Sequence, residues 1–321
     1  MKSPLRGLIA AVATVGIAAS AAACGNAGSS APTALTVGFV VDPSWAQIPV
    51  AVAGGDFQKH KIDVKVVDFS SGVEALQAVA AGQVDVTTAA DVPVAATLTR
   101  SPSLRVVADG SRWNGSRVVG RRSAGITDVR SLAGKSIGTP LGTSADYYAA
   151  NVLQQNNITA KLVQVAPSAA VTAASKRDVD AVAIFQPYQE QVVAALGSDA
   201  VQLAGSNYSQ HSLYVATKDA VSRKAATLTA FFAALRDAGA RLTAGSAPAI
   251  TAVATATQLK PDLVRTILPQ FDYTIELKPD LASDLSSLGA WAKQGGSIDA
   301  SQQLPDYSTF LDAQFLPGSG S

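Results

Sequence analysis

The chain of 321 residues has one cysteine, one methionine and two histidines, and these shortages exclude several kinds of protein. A single cysteine cannot form an intrachain disulfide. His60 and His211 lack metal-ligand spacing, so we predict no metal site and no cofactor and treat both as exposed surface residues. The chain has no Gly-x-Ser-x-Gly elbow, and Val129 stands where a phosphate-binding loop ending at Ser136 needs glycine. The sequence therefore does not predict an enzyme.

Charge is also scarce and almost balanced. Charged residues make up 15% of the chain and the formal net charge is +1. Without Lys2 and Arg6 of the leader, 23 basic residues face 24 acidic ones. A nucleic-acid partner would require clustered Lys and Arg, so none is expected. The apolar share of 48% provides a large core, and the length suits two compact lobes.

The first 23 residues form a predicted signal peptide. The unbroken run of small and apolar residues from Gly7 to Ala23 is too short for a good permanent membrane helix. The run ends at Ala21-Ala22-Ala23-Cys24-Gly25, which resembles the lipobox of bacterial lipoproteins, although that motif usually has Leu, Val or Ile where this chain has Ala21. The resemblance implies that Cys24 is lipidated and anchors the protein on the extracytoplasmic face of the cell membrane. Residues 24–33 would then be a flexible tether. The alternative is ordinary cleavage beside an incidental cysteine.

Strand-like and helix-like segments alternate from Leu35 onward, which predicts an α/β fold with mainly parallel sheets. The expected strands are Leu35–Val41, Ile62–Phe69, Val84–Ala89 and Leu104–Ala108, and the expected helices are Ala46–Lys59, Val73–Ala81 and Val92–Leu98. A second stretch repeats the plan, and Asp180 stands 95 residues after Asp85 at the matching point. This favours two related lobes over one large sheet.

The order and spacing of several motifs resemble the solute-binding proteins of the sulfonate, taurine and nitrate importers, a group that includes thiamine-precursor binders. The motifs are Leu35–Val40, Ala51–Phe57, Ile62–Val64, Ser71-Gly72, Ala81–Val86, Leu132–Gly138, Gly142–Tyr147, Val179–Ala181, Gln186–Tyr188 and Leu304–Tyr307. The resemblance implies a type II periplasmic-binding-protein fold, two α/β lobes joined by two hinge crossings. Lobe one would comprise residues 34–117 and 213–321, with the helices around 223–243 and 281–293, and lobe two residues 118–212.

The resemblance also implies a role and partners. The protein would bind one small molecule, act as a monomer and deliver its ligand to an ABC permease in the membrane. An aliphatic sulfonate or taurine is the first choice of ligand, and a thiamine-precursor pyrimidine or an amine is the alternative. An enzyme is the competing class, because a related fold occurs in a pyrimidine-synthesising enzyme of the thiamine pathway.

Gly142-Thr143-Ser144 is the first candidate for ligand contact. It follows the expected strand Ser136–Thr139 and opens the expected helix Ala145–Leu153. A helix start offers unpaired N–H groups and the positive end of the helix dipole, which suit an anion. Thr143-x-x-Asp146 also resembles a capping box, so a purely structural role is the alternative.

Other candidates follow the ends of strands, where ligands lie in open parallel sheets. They are Asp42, Ser44, Trp45, Ser71, Gly72, Asp91, Gln186 and Tyr188. Each of these residues could instead have only a structural role as a turn former. Trp45 could instead pack between a helix and the sheet.

The carboxylates among these residues conflict with an anionic ligand. Asp42, Asp91 and Asp146 would repel an anion unless paired, for which Arg112, Arg117 and Arg122 are available. Alternatively the carboxylates select a cation or a zwitterion, with Trp45, Trp113 and Tyr188 as aromatic faces for an ammonium group.

Overall fold

A computed structural model of the protein describes residues 34–316. The predicted signal peptide, Cys24 and the tether lie outside the described residues. Within residues 34–316, no helix is both long enough and apolar enough to cross a membrane.

The described chain alternates strands and helices. The strands are β1 (Ala34–Val40), β2 (Asp63–Phe69), β3 (Val86–Ala90), β4 (Leu104–Trp113), β5 (Val118–Arg121), β6 (Ser136–Thr139), β7 (Lys161–Gln164), β8 (Ala181–Ala183), β9 (Ala200–Leu203), β10 (Gln210–Thr217) and β11 (Phe271–Asp272). The helices are α1 (Gln47–Gly54), α2 (Asp56–Lys59), α3 (Gly72–Ala80), α4 (Asp91–Leu98), α5 (Ser144–Gln155), α6 (Ala170–Ser175), α7 (Tyr188–Leu196), α8 (Lys218–Arg223), α9 (Ala225–Thr243), α10 (Ala247–Thr257), α11 (Pro261–Ile267) and α12 (Leu281–Gln294).

Two of the expected elements differ from the structure. The single helix expected over Ala46–Lys59 is two helices, because Gly55 adopts a left-handed φ of 65° and its N–H bonds back to Ala51 and Val52. Strand β4 is longer than expected because β10 pairs with it as far as Trp113.

The strands form two sheets that share the same topology over five strands, and β11 adds a sixth strand to sheet one. Sheet one has the order β11-β4-β10-β3-β1-β2, and sheet two has the order β7-β6-β8-β5-β9. In sheet one, β1 runs parallel to β2 and β3, and β10 runs antiparallel to β3 and β4. In sheet two, β6, β7 and β8 are parallel in the same way, and β5 runs antiparallel to β8 and β9. The two halves are therefore related units.

The chain crosses between the sheets twice, once between Trp113 and Val118 and once between Leu203 and Gln210. Sheet two consists of the consecutive strands β5 to β9, whereas sheet one is completed by β10 and β11 after the chain returns. Strand β10 pairs with sheet one from Gln210 onward, so the expected lobe boundary at Leu213 falls inside this strand.

The Asp85–Asp180 repeat corresponds to one contact that occurs in both halves. Asp85 Oδ2 accepts the N–H of Thr36 in β1 at 2.7 Å, and Asp180 Oδ2 accepts the N–H of Ser136 in β6 at 2.9 Å. A nearby cation pairs with each carboxylate, Lys224 at 2.8 Å in sheet one and Arg121 at 3.7 Å in sheet two. These contacts hold an N–H near the start of the middle parallel strand of each sheet, β1 in sheet one and β6 in sheet two.

Sheet one is buried on both faces, as the alternation along β10 shows. Leu213 and Val215 belong to a core shared with α4 and α12, whereas Tyr214 and Ala216 belong to a core shared with α1 and α9. Helix α9 packs on α1 and helix α12 packs on α4. The two C-terminal helices therefore pack on sheet one, as the resemblance implied.

Candidate functional site

A cavity of about 160 Å³ lies between residues that belong to the two sheets. Its wall consists of Val40, Val41, Asp42, Trp45, Ser70, Ser71, Gly72, Val73, Ala90, Pro93, Pro140, Thr143, Ser144, Pro167, Phe185, Tyr188 and Gln210. Most of these residues follow or end parallel strands: the turns after β1, β2, β6, β7 and β8 and the end of β3 all contribute. Loops at the carboxyl ends of parallel strands are the usual ligand site of open α/β sheets.

Helix α5 brings its first turn to the cavity. Thr143 has extended backbone dihedrals, and no side chain caps the helix. The Thr143 hydroxyl instead donates to the carbonyl of Pro140 at 2.6 Å, and Asp146 accepts the N–H of Gly142 at 2.8 Å. The expected capping box between Thr143 and Asp146 therefore does not form, because Asp146 bonds to Gly142, one residue before the N-cap. The uncapped first turn leaves N–H groups and the positive dipole end available to a negatively charged group.

Ser144 connects the two halves across the cavity. Its side chain is buried, and its hydroxyl donates to Gln210 Oε1 at 2.6 Å. Ser144 opens α5 beside sheet two, and Gln210 opens β10 in sheet one. Gln210 was not among the expected site residues. It ends a Ser- and Asn-containing crossing that has no regular pattern, and the pairing of β10 with β4, which begins at Gln210, brings it to the cavity.

Asp42 provides a buried carboxyl in the cavity wall. Its side chain is 7% exposed, and its Oδ1 accepts both the N–H and the hydroxyl of Ser44, at 2.7 and 2.6 Å. Burial raises the pKa of Asp42 to about 6, although the two hydrogen bonds from Ser44 act in the opposite direction. Ionisation of this carboxyl therefore depends on what occupies the cavity.

The arginines do not supply a counter-ion to Asp42. Within residues 34–316, no lysine, arginine or histidine lines the cavity, and no salt bridge involves Asp42. Arg112 pairs with Asp109, Asp272 and Glu276, all on the side of sheet one. Arg117 donates to the backbone carbonyls of Asn114 and Ser116.

Three aromatic side chains line the cavity. Trp45 is 3% exposed, and its Nε1 has no hydrogen-bond partner among the described residues. Phe185 and Tyr188 lie edge to face with centroids 6.2 Å apart, and burial followed by the nearby Asp42 carboxyl raises the pKa of Tyr188. Trp113 lies elsewhere, stacked on Phe271 at 5.8 Å.

Seven of the expected site residues therefore meet at this cavity, and four lie outside its wall. The seven are Asp42, Trp45, Ser71, Gly72, Thr143, Ser144 and Tyr188. Of the others, Ser44 lies beneath Asp42 and is 2% exposed. Gly142 takes a left-handed φ of 77° in the turn before α5, and Gln186 Nε2 donates to Gln270 Oε1 at 3.0 Å. Direct ligand contact by these residues stays a prediction.

Asp91 lines a separate polar cavity of about 360 Å³ beside the second crossing. Its carboxylate accepts the hydroxyl of Tyr208 at 2.5 Å and the N–H of His211 at 3.0 Å. Burial raises the pKa of Asp91 to about 6. His211 was expected to be exposed, but its Nδ1 bonds to the buried Asp109 at 2.7 Å because β10 is a central strand of sheet one.

Comparisons with known proteins agree with this architecture. A family profile described as NMT1/THI5 like matches residues 42–245. A Brucella abortus protein provisionally named a binding protein is 31% identical over 156 residues, 47% of each chain. A Bacillus subtilis protein provisionally named an aliphatic sulfonates-binding protein is 28% identical over 138 residues, 41% of each chain. The matches thus span about half the length of these curated relatives.

A solved structure gives the fold over nearly the whole chain. The periplasmic aliphatic sulphonate binding protein of Escherichia coli superposes with a TM-score of 0.76 at 18% identity, covering 86% of this chain and 96% of that one. The fold is thus the periplasmic-binding-protein fold that the resemblance implied. Since the family profile also covers more than half of the sequence, the chain belongs to the NMT1/THI5-like family.

Proposed function

We propose that the protein is the extracytoplasmic solute-binding component of an ABC importer and has no catalytic activity of its own. It captures one small organic anion or zwitterion, of the aliphatic sulfonate or taurine type, and delivers it to a membrane permease. Residues 34–113 and 210–316 belong to one lobe and residues 118–203 to the other, with the two crossings between them. The observation that carries the proposal is a cavity built from the strand ends of both halves. The name of the Bacillus subtilis relative supports the choice of solute.

The size of the cavity favours a small ligand. Its volume of about 160 Å³ is below the roughly 300–1,000 Å³ of sites for drug-sized molecules. Eight of the 17 wall residues are valine, alanine, proline or phenylalanine, and seven others carry a hydroxyl, amide or carboxyl group. A solute with a few carbon atoms and compact polar ends matches this distribution.

The first turn of α5 is the proposed site for the acidic group of the solute. Its uncapped N–H groups can donate to sulfonate oxygens, and the helix dipole favours the negative charge. The first residues of α3 (Gly72) and α7 (Tyr188) also line the cavity, so two further helix starts face the same volume. These groups offset part of the cost of burying an anion without a lysine or arginine.

Closure of the two halves over the solute would couple capture to delivery. The bond from Ser144 to Gln210 and the bond from Gln186 to Gln270 connect residues of sheet two to residues of sheet one. A solute that touches both walls adds contacts available only when the halves are close, and it therefore raises the population of the closed form. The permease would recognise that form.

The position of the protein in the cell follows from its leader. We propose cleavage before Cys24, acylation of its thiol and retention at the outer face of the cell membrane, because two or three acyl chains anchor stably. Mass spectrometry of the mature N-terminus tests this, and an unmodified Cys24 would contradict it.

A thermal-shift panel on residues 25–321 tests the proposed role. The panel contains taurine, alkanesulfonates, nitrate, amino acids, choline-like cations and pyrimidines. Saturating ligand at 100 times its dissociation constant stabilises the folded state by about 2.7 kcal/mol, so a true ligand raises the melting temperature by several degrees. The compound should be recovered unchanged. Conversion into a product would favour an enzyme instead.

A further inference from the structure

Asp42 presents one oxygen to the cavity without any partner. Both hydrogen bonds from Ser44 go to Oδ1, and no described residue donates to Oδ2. Oδ2 is not one of the side-chain atoms that lack both accessible surface and a hydrogen-bond partner. It therefore keeps some accessible surface, although Asp42 as a residue is 93% buried. The accessible space beside Asp42 is the cavity itself. A buried carboxyl group without a counter-ion is stabilised either by protonation or by a positively charged ligand bound beside it.

The two walls of the cavity carry opposite electrostatic character. On the sheet-two side, the uncapped start of α5 at Thr143 and Ser144 favours negative charge. On the sheet-one side, Asp42 favours positive charge. Trp45 and Tyr188 line the cavity beside it and offer aromatic faces of the kind that attract ammonium groups. A simple anion would satisfy one wall and be repelled by the other.

We infer that Asp42 is the specificity-determining residue of the cavity, and that the ligand carries an ammonium group that binds Asp42 while its acidic group binds the start of α5. This inference rests on the proposed function and narrows it to zwitterions. Asp42 would hold the cation as a charge-assisted hydrogen bond. Such bonds are worth ten- to hundredfold in affinity, about 1.5–3 kcal/mol.

The direction in which affinity changes with pH distinguishes zwitterionic ligands from simple anions. The titratable groups that act on Asp42 are Tyr188 and Tyr273, and both have raised pKa values and stay neutral between pH 5 and 7. The carboxyl of Asp42, with its pKa of about 6, is thus the group that changes charge in this range. An ammonium ligand binds the ionised carboxylate, so its affinity falls roughly tenfold from pH 7 to pH 5. A simple anion binds better when the carboxyl is protonated, so its affinity rises instead.

Isothermal titration calorimetry with taurine and ethanesulfonate tests the inference, because the two differ at the ammonium end. On the wild-type protein, taurine should bind at least tenfold tighter than ethanesulfonate at pH 7 and should weaken toward pH 5. Asp42→Asn keeps the size of the side chain and an acceptor for Ser44, and it should abolish both the preference and the pH dependence. Asp68→Asn, an exposed carboxyl on β2 outside this cavity, is the matched control and should change neither.

The outcomes separate this inference from the proposed function. Equal binding of both sulfonates, or an affinity that rises as the pH falls, overturns the role of Asp42 and leaves a solute binder. If neither sulfonate binds, n-propylammonium is the next probe. If n-propylammonium binds the wild-type protein but not Asp42→Asn, the role of Asp42 is supported and the sulfonate class is rejected. If no probe binds, both proposals are overturned.

Discussion

The position of Ser144 at the start of α5 gives different roles to its backbone and to its side chain. Its backbone begins a helix without a side-chain cap, and its hydroxyl is held by Gln210 on the opposite wall. A residue in this position can donate to an anion and can also connect the two halves. The hydroxyl of Thr143 donates to the carbonyl of Pro140, so it fixes the shape of the turn.

The double variant Thr143→Ala and Ser144→Ala should weaken ligand affinity by about tenfold or more. This corresponds to the loss of one good hydrogen bond, and the fold should stay intact. Calorimetry with the best ligand from the panel measures the effect. Ser246→Ala is the control, since Ser246 caps α10 far from the cavity and its loss should cost stability but not affinity. Unchanged affinity in the double variant would show that neither hydroxyl contributes to binding, and only the backbone N–H groups of α5 would remain as the anion site.

Sequence reasoning at the residue scale succeeded where turn chemistry marks the end of a strand. Ser71-Gly72 and Thr143-Ser144 are polar or small residues between an apolar run and a helical pattern, and each lies in the cavity wall. Gln210 carries no such signal, because it reaches the cavity only through antiparallel pairing with distant strands. The lack of a counter-ion for Asp42 among the described residues was equally hidden, since ion pairs form between elements whose contact the sequence does not reveal.

The contacts of Asp85 and Asp180 connect secondary-structure elements to one another. Each carboxylate accepts the N–H at the start of the central parallel strand of its sheet, and each aspartate also donates its own N–H back to that strand. The hydrogen bond from the Ser136 N–H lowers the pKa of Asp180. This contact joins β6 to the residues just before β8.

Asp180→Ala should destabilise the protein by about 1–3 kcal/mol, because it leaves the Ser136 N–H and hydroxyl without their partner. Asp178→Ala, two residues earlier and exposed, should change stability by less than about 0.5 kcal/mol. Urea unfolding of the three proteins measures the difference. Equal effects of both variants would show that the contact does not stabilise sheet two.

The stability difference between the wild-type protein and Asp180→Ala depends on pH. The pKa of Asp180 in the folded protein lies below its ordinary value of 3.8. Its contribution is therefore present above pH 3.8 and is lost as the pH falls through the folded pKa. The gap between the wild-type protein and Asp180→Ala should shrink over that interval and stay constant from pH 5 to 7.

Elements with regular apolar patterns could be predicted, and those shaped by distant pairing could not. Strands β1 and β2 and helix α4 lie within one residue of their expected bounds because their apolar patterns match their burial. Strand β4 extends beyond Ala108 into Asp109-Gly110-Ser111, a polar sequence that reads as a loop. Its pairing with β10 keeps that segment in the sheet.

At the scale of the whole molecule, two sheets with an equivalent order over five strands contribute to one cavity. The equivalent order explains the internal repeat, and the chain crosses twice because the strands of sheet two, β5 to β9, lie in sequence between β4 and β10 of sheet one. The repeat and the alternation of elements could be predicted from the sequence. The identity of the solute could not, because the charge of the cavity depends on which side chains the fold leaves unpaired.

The most direct test of the cavity as the ligand site uses the indole N–H of Trp45. The chain contains three tryptophans, so a ¹⁵N-labelled sample gives three indole signals, and Trp45→Phe assigns the one of interest. Because Trp45 lines the cavity, a ligand beside its ring changes the surroundings of the indole, so titration with taurine should move its signal along a saturable curve. If backbone signals elsewhere saturate while the Trp45 indole signal stays in place, the ligand binds outside this cavity and the account is contradicted.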